Sequence, residues 1–361
     1  MDVLFWQNKK VLITGHTGFK GGWLSLWLEA MGAKVIGYSL PMPTNPNLFK
    51  LACLDKKIQS YIADIRDIDT LREVIEKEKP EIVFHLAAQS LVRYSYDHPI
   101  ETYSTNVMGT VNLLEILRKI NCARSIVIVT SDKCYDNHEQ IGGYRETDPM
   151  GGDDPYSSSK GCVELITTAY RKSFFAEGEQ SHLASARAGN VIGGGDFATD
   201  RLIPDFMRAI IEDRPIKIRN PNAIRPWQHV LEPLSGYLSL AKHLWTEGDN
   251  FAESWNFGPA DQDAQPVKYL VNHLVQLWGG GARWELDSGK HVHEAHHLKL
   301  DASKARLKLK WAPKWRLETA LRRTVDWYKA YLEQSDLQTM MLRQITDYEK
   351  SHPLEETNHY E

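Results

Sequence analysis

The sequence lacks the features of several large classes of protein. Its apolar runs are short, and none approaches the roughly 20 residues that a membrane-spanning helix needs. It has no excess of positive charge, because 43 lysines and arginines stand against 47 aspartates and glutamates, for a formal net charge of −4. Its first residues carry no charged leader or cleavage site, so no export signal is predicted. We therefore expect no membrane partner and no nucleic acid held by net charge.

Cysteine is also scarce. The four cysteines are Cys53, Cys122, Cys134 and Cys162, and no two of them form a Cys-x-x-Cys pair. This spacing excludes a dense disulfide framework and favours reduced thiols in the cytoplasm. What the chain does have is a composition of 42% hydrophobic and 25% charged residues, which is typical of a protein with a large buried core. At 361 residues it exceeds one ordinary domain.

The first half of the chain alternates short apolar runs with helical patterns. The predicted strands are residues 10–14, 34–38, 58–62, 81–86, 125–129 and 182–187. The predicted helices are residues 19–31, 67–79, 100–119 and 155–175. This alternation predicts an α/β fold with a Rossmann-type, doubly wound parallel sheet and helices on both of its faces.

The pattern changes after about residue 188, where a second domain is predicted to begin. Eight of the 11 tryptophans lie at or beyond Trp227, so this part has a different core composition. We expect residues 189–228 and 258–350 to form a smaller α+β C-terminal domain. A helix at 237–244 and a strand at 254–257 are expected to return, within about 229–257, to the first domain of residues 1–188. Residues 351–361 are predicted to be a polar tail.

A glycine-rich loop joins the first predicted strand to the first predicted helix. Residues 15–21 read GHTGFKG, so the glycines have G-x-x-G-x-x-G spacing. The first glycine permits a tight turn, the second lets the backbone approach a pyrophosphate, and the third lets the helix pack close to the strand. Because the helix N-terminus then faces the anion, the loop predicts dinucleotide binding. The predicted cofactor contacts in this loop are Gly15, Thr17, Gly18, Phe19, Lys20 and Gly21.

The acidic residue that usually holds the adenosine ribose is missing. The second strand ends at Tyr38, Ser39 and Leu40, without an acidic residue and without an arginine for a 2′-phosphate. This end favours NAD over NADP, with weaker binding than usual. Asp64 and Ile65 follow the third strand and are predicted to lie near the adenine. The alternative for Asp64 is a helix N-cap.

Five residues have the chemistry of proton transfer. Tyr156 and Lys160 share a predicted helix face, and an ammonium beside the phenol is expected to lower its pKa and make it a base for an alcohol proton. Ser131 follows the fifth strand, at the sheet edge where ligands bind, and can hydrogen-bond the same alcohol oxygen. Simple hydride transfer needs no further acid–base pair, so Asp132 and Lys133 either serve another step or form a solvated ion pair.

Together these motifs resemble the extended short-chain dehydrogenase/reductase superfamily over nearly the whole chain. The resemblance also rests on Asn106 and on residues 85–89 (HLAAQ). It implies that Asn106 supports a helix beside the sheet and that the cofactor is NAD. It adds four residues to the predicted NAD contacts, namely Leu86, Ala87, Ala88 and Gln89.

Within that superfamily the chain resembles the nucleotide-sugar 4,6-dehydratases, which carry Thr-Asp-Glu where it has Ser-Asp-Lys at 131–133. Residues 15–24, 130–135 and 193–204 resemble the dehydratases that act on CDP-glucose, in deoxysugar and O-antigen biosynthesis. The resemblance implies that Tyr156 takes the C4 hydroxyl proton and that Asp132, as a neutral acid, protonates the departing C6 hydroxyl. Lys133 stands where the glutamate would remove the C5 proton. We hypothesise that Lys133 is that base, which requires its pKa to be lowered by burial or by cations such as Lys160.

The resemblance also places three substrate contacts, Asn190, Arg201 and Arg225, with Arg225 at the pyrophosphate. For Arg201 a surface helix cation remains the alternative. His291, His293, His296 and His297 lack the partners of a metal set, so no metal is predicted and the segment is interpreted as a loop near the nucleotide. Cys134 and Cys162 are interpreted as packing residues.

Three other predictions complete the sequence analysis. An alternative enzyme is a nucleotide-sugar 4-epimerase or a dehydratase for another nucleotide hexose, although the pair Asp132 and Lys133 argues against an epimerase. A different class is an NAD-sensing regulator, which would have little need of Ser131, Tyr156 and Lys160 together. The resemblance further implies a homo-oligomer in which the helices at 100–119 and 155–175 pair with their copies.

Overall fold

The computed structural model describes residues 2–175, 180–289 and 297–354 of the chain. The strands are β1 (Lys10–Thr14), β2 (Lys34–Ser39), β3 (Gln59–Ile62), β4 (Ile82–His85), β5 (Ser125–Val129), β6 (His182–Ala188), β7 (Val191–Ile192), β8 (Ile216–Ile218), β9 (Ile224–Pro226), β10 (Gln228–His229), β11 (Ser254–Phe257), β12 (Ala264–Pro266) and β13 (Trp284–Leu286). The α-helices are α1 (Val3–Trp6), α2 (Phe19–Ala30), α3 (Leu48–Leu51), α4 (Ile68–Glu78), α5 (Val92–Asp97), α6 (Pro99–Tyr103), α7 (Gly109–Ile120), α8 (Pro155–Phe174), α9 (Leu202–Ile211), α10 (Leu231–Glu247), α11 (Val267–Trp278), α12 (Ser303–Lys308), α13 (Leu317–Leu332) and α14 (Leu337–Lys350). None of the helices in these three stretches is both long and apolar enough to span a membrane.

Seven parallel strands form the main sheet, in the order β11-β6-β5-β4-β1-β2-β3. The six predicted strands begin and end within one residue of their predicted bounds. Strands β4 and β5 are buried on both faces, which explains why they appear in the sequence as unbroken apolar runs. The predicted Rossmann-type, doubly wound α/β fold is confirmed. The strand order reverses beside β1, and in such sheets ligands bind at the carboxyl ends of the strands near that reversal.

The last strand of the main sheet comes from late in the chain. β11 pairs with β6 in parallel, from Ser254 opposite Ser185 to Phe257 opposite Ala188. It follows α10, which contains the helix predicted at 237–244 and extends it at both ends. The returning helix and strand therefore occur as the sequence predicts.

The helix predicted at 100–119 is confirmed as a helical segment, but a π-helical turn interrupts it. The segment is divided into α6, a π-helical turn (Ser104–Met108) and α7. The π-turn carries Asn106, whose side-chain amide donates to Ser159 Oγ on α8 at 2.8 Å and whose Oδ1 accepts from the backbone N–H of Gln89 at 2.8 Å. A π-turn inserts one extra residue into a helix and is frequent at functional sites. Here it turns Asn106 so that it joins the loop after β4 to α8.

Apart from α10 and β11, the part of the chain after β6 forms small two-stranded sheets and further helices. β7 pairs with β10, β8 with β13, and β9 with β12. The hydrophobic core is continuous across this boundary, because Trp23 of α2 lies in the same buried cluster as Trp327 of α13. Between these two helices, Trp23 Nε1 donates to the carbonyl of Gly194 at 2.9 Å. The glycine-rich segment 193–195 is thereby held as a wall of the cleft described next.

Candidate active site

A cavity of about 1260 Å³ lies at the carboxyl ends of the main-sheet strands. Every residue that the sequence analysis singled out as a cofactor, catalytic or substrate contact lines it. They are Gly15, Thr17, Gly18, Phe19, Lys20, Gly21, Asp64, Ile65, Leu86, Ala87, Ala88, Gln89, Ser131, Asp132, Lys133, Tyr156, Lys160, Asn190, Arg201 and Arg225. Residues far apart in the sequence are thus brought into one site.

The glycine loop has the geometry that a dinucleotide cradle requires. Gly15 has a φ of +79°, and a Cβ there would lie 2.8 Å from the backbone nitrogen of Ala87. A Cβ on Gly21 would overlap the carbonyl of Gly15, so only glycine lets α2 begin this close to the loop. Gly18 is the N-cap of α2 and supplies no side-chain hydrogen bond to the helix. The positive end of the α2 helix dipole therefore faces the cavity, with little side-chain bulk in front of it. This arrangement fits a pyrophosphate.

His16, in the glycine loop, has a buried side chain that packs against β2. Its ring packs so closely on Gly37 that a Cβ there would overlap it, and its Nε2 lies 2.7 Å from Ser60 Oγ. Burial lowers the pKa of His16 to about 4, so the ring is neutral. This buried, uncharged ring holds the glycine loop against β2 and β3.

Asp64 lines the cavity as an ion-pair partner of Arg66. Its Oδ2 accepts from Arg66 Nη2 at 2.6 Å, and this bond is the main reason that its pKa is lowered. The alternative interpretation as a helix N-cap is wrong, because the cap of α4 is Asp67, whose side chain accepts from Thr70 N. A role of Asp64 and Ile65 beside the adenine stays a prediction.

A short turn of residues 131–134, called here the 131–134 turn, follows β5 and carries three of the predicted catalytic groups. The hydroxyl of Ser131 donates to Asp132 Oδ1 at 2.8 Å and accepts from the backbone N–H of Lys133 at 3.3 Å. Asp132 is 2% exposed, and burial raises its pKa even though Lys133 lies beside it. Its other oxygen, Oδ2, has no hydrogen-bond partner among the described residues. Asp132 is therefore a buried carboxyl with one oxygen that lacks a hydrogen-bond partner, and not half of a solvated ion pair.

Tyr156 and Lys160 lie one helical turn apart on α8, and both line the cavity. The expected lowering of the Tyr156 pKa is wrong for the chain alone, because burial raises that pKa to about 12, although the Ser131 hydroxyl opposes the rise. Burial also lowers the pKa of Lys160 to about 8. Both shifts have one cause, since removal from water disfavours the charged form of either group.

Lys20 is the second cation of the cleft whose pKa burial lowers to about 8, and the charges of Arg201 and Lys160 lower it further. The sequence analysis assigned Lys20 only to the cofactor loop. The structure brings its ammonium near Asp132 as well, since each of the two groups acts on the pKa of the other. Lys133, the hypothesised base, also lines the cavity but is partly exposed.

The three predicted substrate contacts, Asn190, Arg201 and Arg225, also line the cavity. Arg201 immediately precedes α9 and donates to Asp196 Oδ2 at 3.0 Å and to Ser90 Oγ at 2.8 Å. Arg201 thus joins two segments that line the cavity. It is not the surface helix cation of the alternative interpretation. Arg225 on β9 is 6% exposed, and its charge acts on Asp132. Asn190 lies between β6 and β7 at the same cavity.

Two buried residues beside the cavity were not predicted from the sequence. Glu164 and Arg187 form an ion pair at 2.7 Å in which both side chains are almost completely buried. The signal in the sequence was the position of Glu164 four residues after Lys160, on the helix face that already carries Tyr156. The contacts of this pair are described below.

The predicted histidine loop lies mostly outside the described residues, because His291, His293 and His296 are not among them. His297 is described, and it forms a bridge with Ile224 beside Arg225. Across residues 2–175, 180–289 and 297–354, no group of three or more His, Cys, Asp or Glu side chains is placed to hold a metal ion.

Comparison with known proteins places this site in a family. The family model described as GDP-mannose 4,6 dehydratase matches residues 12–256, which include the glycine loop, the 131–134 turn and α8. The chain belongs to the GDP-mannose 4,6 dehydratase family. A curated CDP-glucose 4,6-dehydratase of Salmonella typhimurium is 57% identical over 352 residues, which cover 96% of this chain and 98% of that enzyme.

Solved structures of this family and its neighbours share the fold. The dTDP-glucose 4,6-dehydratase of Bacillus anthracis, solved in complex with NAD, superposes with a TM-score of 0.76 at 24% identity, and covers 91% of this chain and 98% of that chain. The UDP-glucose 4-epimerase of Thermotoga maritima, solved with UDP-glucose, has a TM-score of 0.78 at 23% identity, over 89% and 99% of the two chains. Dehydratases and epimerases therefore share this scaffold, and the reaction depends on the side chains in the cleft.

Proposed function

We propose that the chain is a CDP-glucose 4,6-dehydratase, a hydro-lyase that converts CDP-D-glucose into CDP-4-keto-6-deoxy-D-glucose and water with an internally recycled NAD. The observation that carries the proposal is the buried carboxyl of Asp132, which has one free oxygen and lies beside Ser131 in the cleft. A 4-epimerase needs no acid for a C6 hydroxyl, whereas a dehydratase does. The 57% identity to the Salmonella typhimurium enzyme supports CDP-glucose as the substrate.

The residues of the cleft divide the proton transfers between them. Tyr156 accepts the proton of the C4 hydroxyl, with Ser131 hydrogen-bonded to the same oxygen. When bound, NAD supplies the acceptor for the C4 hydride and the donor that returns it to C6. The C4 ketone acidifies the C5 proton, which Lys133 is proposed to remove and then to return to C5 as the hydride reaches C6. Asp132 gives its proton to the departing C6 hydroxyl, so that water leaves.

The state of Asp132 suits this role. Burial raises its pKa, which increases the fraction of the neutral carboxylic acid at neutral pH. A neutral acid can donate to a leaving hydroxyl, and an ionised one cannot. The free Oδ2 is the atom proposed to point at the substrate.

The remaining contacts are proposed for the cofactor and the nucleotide. The glycine loop holds the NAD pyrophosphate at the N-terminus of α2, and Leu86, Ala87, Ala88 and Gln89 line the other side of the NAD site. Arg201, Arg225 and Asn190 hold the nucleotide sugar, with Arg225 at its pyrophosphate. In this proposal residues 1–188, with the returning segment 229–257, bind NAD, and residues 189–228 and 258–350 grip the sugar nucleotide.

The test is product analysis by NMR after incubation of the purified chain with CDP-glucose and NAD. The proposal expects a 4-keto-6-deoxy product with no net consumption of NAD. A C4 epimer would support the epimerase, and no turnover of any nucleotide sugar would support a regulator. Matched incubations with the dTDP-, UDP- and GDP-linked hexoses test the base, and faster turnover of any of them than of CDP-glucose would contradict the proposed substrate.

We further propose that the enzyme is a homo-oligomer whose subunits contact one another through the helices α6, α7 and α8. Large apolar side chains are exposed along this surface, including Ile100, Met108, Leu165 and Phe174. Exposed large apolar side chains, where they cluster, are typical of a protein interface. Sedimentation equilibrium is expected to give a dimer or tetramer, and Leu165→Glu to shift it towards the monomer. A wild-type monomer at micromolar concentration would contradict the proposal.

A cytoplasmic location is proposed from the cysteines, all four of which are free thiols. Cell fractionation of the source organism tests it. Recovery of the chain in a membrane or extracellular fraction would contradict it.

A further inference from the structure

Helix α8 carries a third ionisable side chain in line with Tyr156 and Lys160. Glu164 lies one further turn along the same face, but it is 1% exposed and does not line the cavity. Its carboxylate pairs with Arg187 of β6 at 2.7 Å. Neither residue has a role in the proposed proton transfers, although both are charged and fully buried.

Glu164 holds the beginning of the 131–134 turn. Its Oε1 accepts a 2.5 Å hydrogen bond from Thr130 Oγ1, and Thr130 immediately precedes Ser131. Thr130 is 4% exposed, so this bond is shielded from water and strong for its kind. The start of the turn is thereby attached to α8.

Arg187 holds the end of the same turn. Its Nη1 donates at 2.7 Å to the hydroxyl of Tyr135. Tyr135 immediately follows Cys134, the last residue of the turn. The guanidinium also lies 4.9 Å from the centre of the Tyr135 ring. The Tyr135 hydroxyl in turn donates to Asn256 Oδ1 of β11 at 2.7 Å, so the end of the turn is attached to the main sheet.

We propose that the Glu164–Arg187 pair is a positioning device that grips both ends of the 131–134 turn and so sets the position of Asp132 relative to Tyr156. Burying an ion pair gains little stability compared with apolar residues of similar size, because both charges lose their hydration. Geometry is the better reason to keep one here, since one carboxylate and one guanidinium reach α8, β6 and both ends of the turn. The inference rests on the proposed function, because it assigns Asp132 to the elimination of water.

The two halves of the reaction depend on the pair differently. Hydride transfer at C4 needs the base Tyr156 and its neighbour Lys160, which the backbone of α8 holds in place, and takes only a supporting hydrogen bond from Ser131 of the turn. Elimination needs Asp132, whose position depends on the turn. A displacement of about 1 Å at a reacting group can cost about a hundredfold in rate. Loosening the turn should therefore slow elimination more than the first hydride transfer.

Two nearly isosteric variants release one end of the turn each. Thr130→Val removes the hydroxyl that bonds to Glu164, and Tyr135→Phe removes the hydroxyl that bonds to Arg187. Thr130→Ser keeps the first bond and serves as the rescue. Ser185→Ala is the matched control, because Ser185 Oγ also donates to Glu164 Oε2, at 2.7 Å, but does not belong to the turn. Each variant is assayed with CDP-glucose for kcat, KM, bound reduced nicotinamide during turnover, and Tm.

We expect Thr130→Val and Tyr135→Phe to lower kcat by about tenfold or more with KM unchanged, and to accumulate reduced nicotinamide because elimination has become slow. Thr130→Ser and Ser185→Ala should keep the wild-type kinetics, whatever their Tm. If all four variants lose activity in proportion to Tm, or if kcat falls without reduced nicotinamide, the pair is only structural and the inference is wrong. If Tyr135→Phe fails to fold, the comparison of Thr130→Val with Thr130→Ser decides. A wild-type chain that leaves CDP-glucose unchanged overturns the proposed function and this inference together.

Discussion

The hydroxyl of Ser131 donates a 2.8 Å hydrogen bond to Oδ1 of Asp132, the residue that follows it. The bond fixes one oxygen of the carboxyl and leaves Oδ2 buried without a partner among the described residues. An orphaned, buried carboxyl oxygen costs free energy unless a ligand or a proton compensates it. This geometry supports the proposal that Asp132 supplies the proton for the departing hydroxyl.

Replacement of the proposed acid should separate the two half-reactions. Asp132→Asn keeps the shape of the side chain but cannot donate a carboxylic proton, so we expect elimination to slow by about 100- to 10,000-fold. The first hydride transfer should survive. A single turnover should then stall with reduced nicotinamide and a 4-keto sugar that still carries its C6 hydroxyl, as measured by absorbance and mass spectrometry. Formation of the 6-deoxy product at the wild-type rate would remove Asp132 from the mechanism.

The identity of the C5 base is tested by isotope exchange. If Lys133 removes the C5 proton, Lys133→Ala should lower the rate of solvent deuterium incorporation at C5 by about 100-fold or more. Lys20→Met is the informative comparison, because burial lowers the pKa of Lys20 to about 8 and makes its neutral amine accessible near neutral pH. Normal exchange in Lys133→Ala together with lost exchange in Lys20→Met would transfer the role to Lys20.

The cofactor cradle predicts a steric defect. A Cβ in Gly15→Ala would lie 2.8 Å from Ala87 N, on a backbone with a φ of +79°. Overpacking of this kind costs about 1–3 kcal/mol, which corresponds to about 5- to 150-fold in NAD affinity if the loop moves. Gly142→Ala is the control, because a Cβ there meets nothing within 4 Å. Calorimetry should show weaker NAD binding only for the first variant, and equal affinities would show that the loop does not contact the cofactor.

Stability should depend on pH through one buried carboxyl far from the catalytic groups. Burial raises the pKa of Glu232 from 4.5 to about 7, although Glu232 accepts hydrogen bonds from Trp315 N and from the Tyr348 hydroxyl. Because the folded pKa lies above the unfolded one, its contribution to stability is complete below about pH 4.5 and is lost as the pH rises through about 7. The loss is on the order of 3 kcal/mol.

Urea unfolding of the wild type and of Glu232→Gln measures that contribution. Between about pH 4.5 and about pH 7, the free energy of unfolding of the wild type should fall relative to that of Glu232→Gln. A difference that stays constant over this range would show that Glu232 titrates normally in the folded chain.

The sequence predicts the parts of this enzyme that local rules determine. β1, the glycine loop and α2 are adjacent in the chain, and the apolar run, the glycine spacing and the helical pattern all indicate the same structure. Tyr156 and Lys160 share a helix face because of the helical repeat alone. The residues singled out in this way all line one cavity.

Long-range pairings were not predictable in the same way. Arg187 meets Glu164 only because β6 lies under α8, and His16 meets Gly37 only because β1 and β2 pair. The π-turn around Asn106 also escaped prediction, since one inserted residue leaves the apolar pattern almost unchanged. The direction of the Tyr156 pKa was wrong because a sequence shows the neighbouring ammonium but not the burial.

The central claim is that hydride moves within one sugar, from C4 to C6, as water is lost. It is tested most directly by incubating the wild-type chain and NAD with CDP-glucose that carries deuterium at C4, and by locating the label in the product by NMR. The account predicts a 4-keto-6-deoxy sugar with the deuterium at C6. Deuterium retained at C4 of an epimerised sugar, or a 6-deoxy product whose C6 carries only solvent hydrogen, would contradict it.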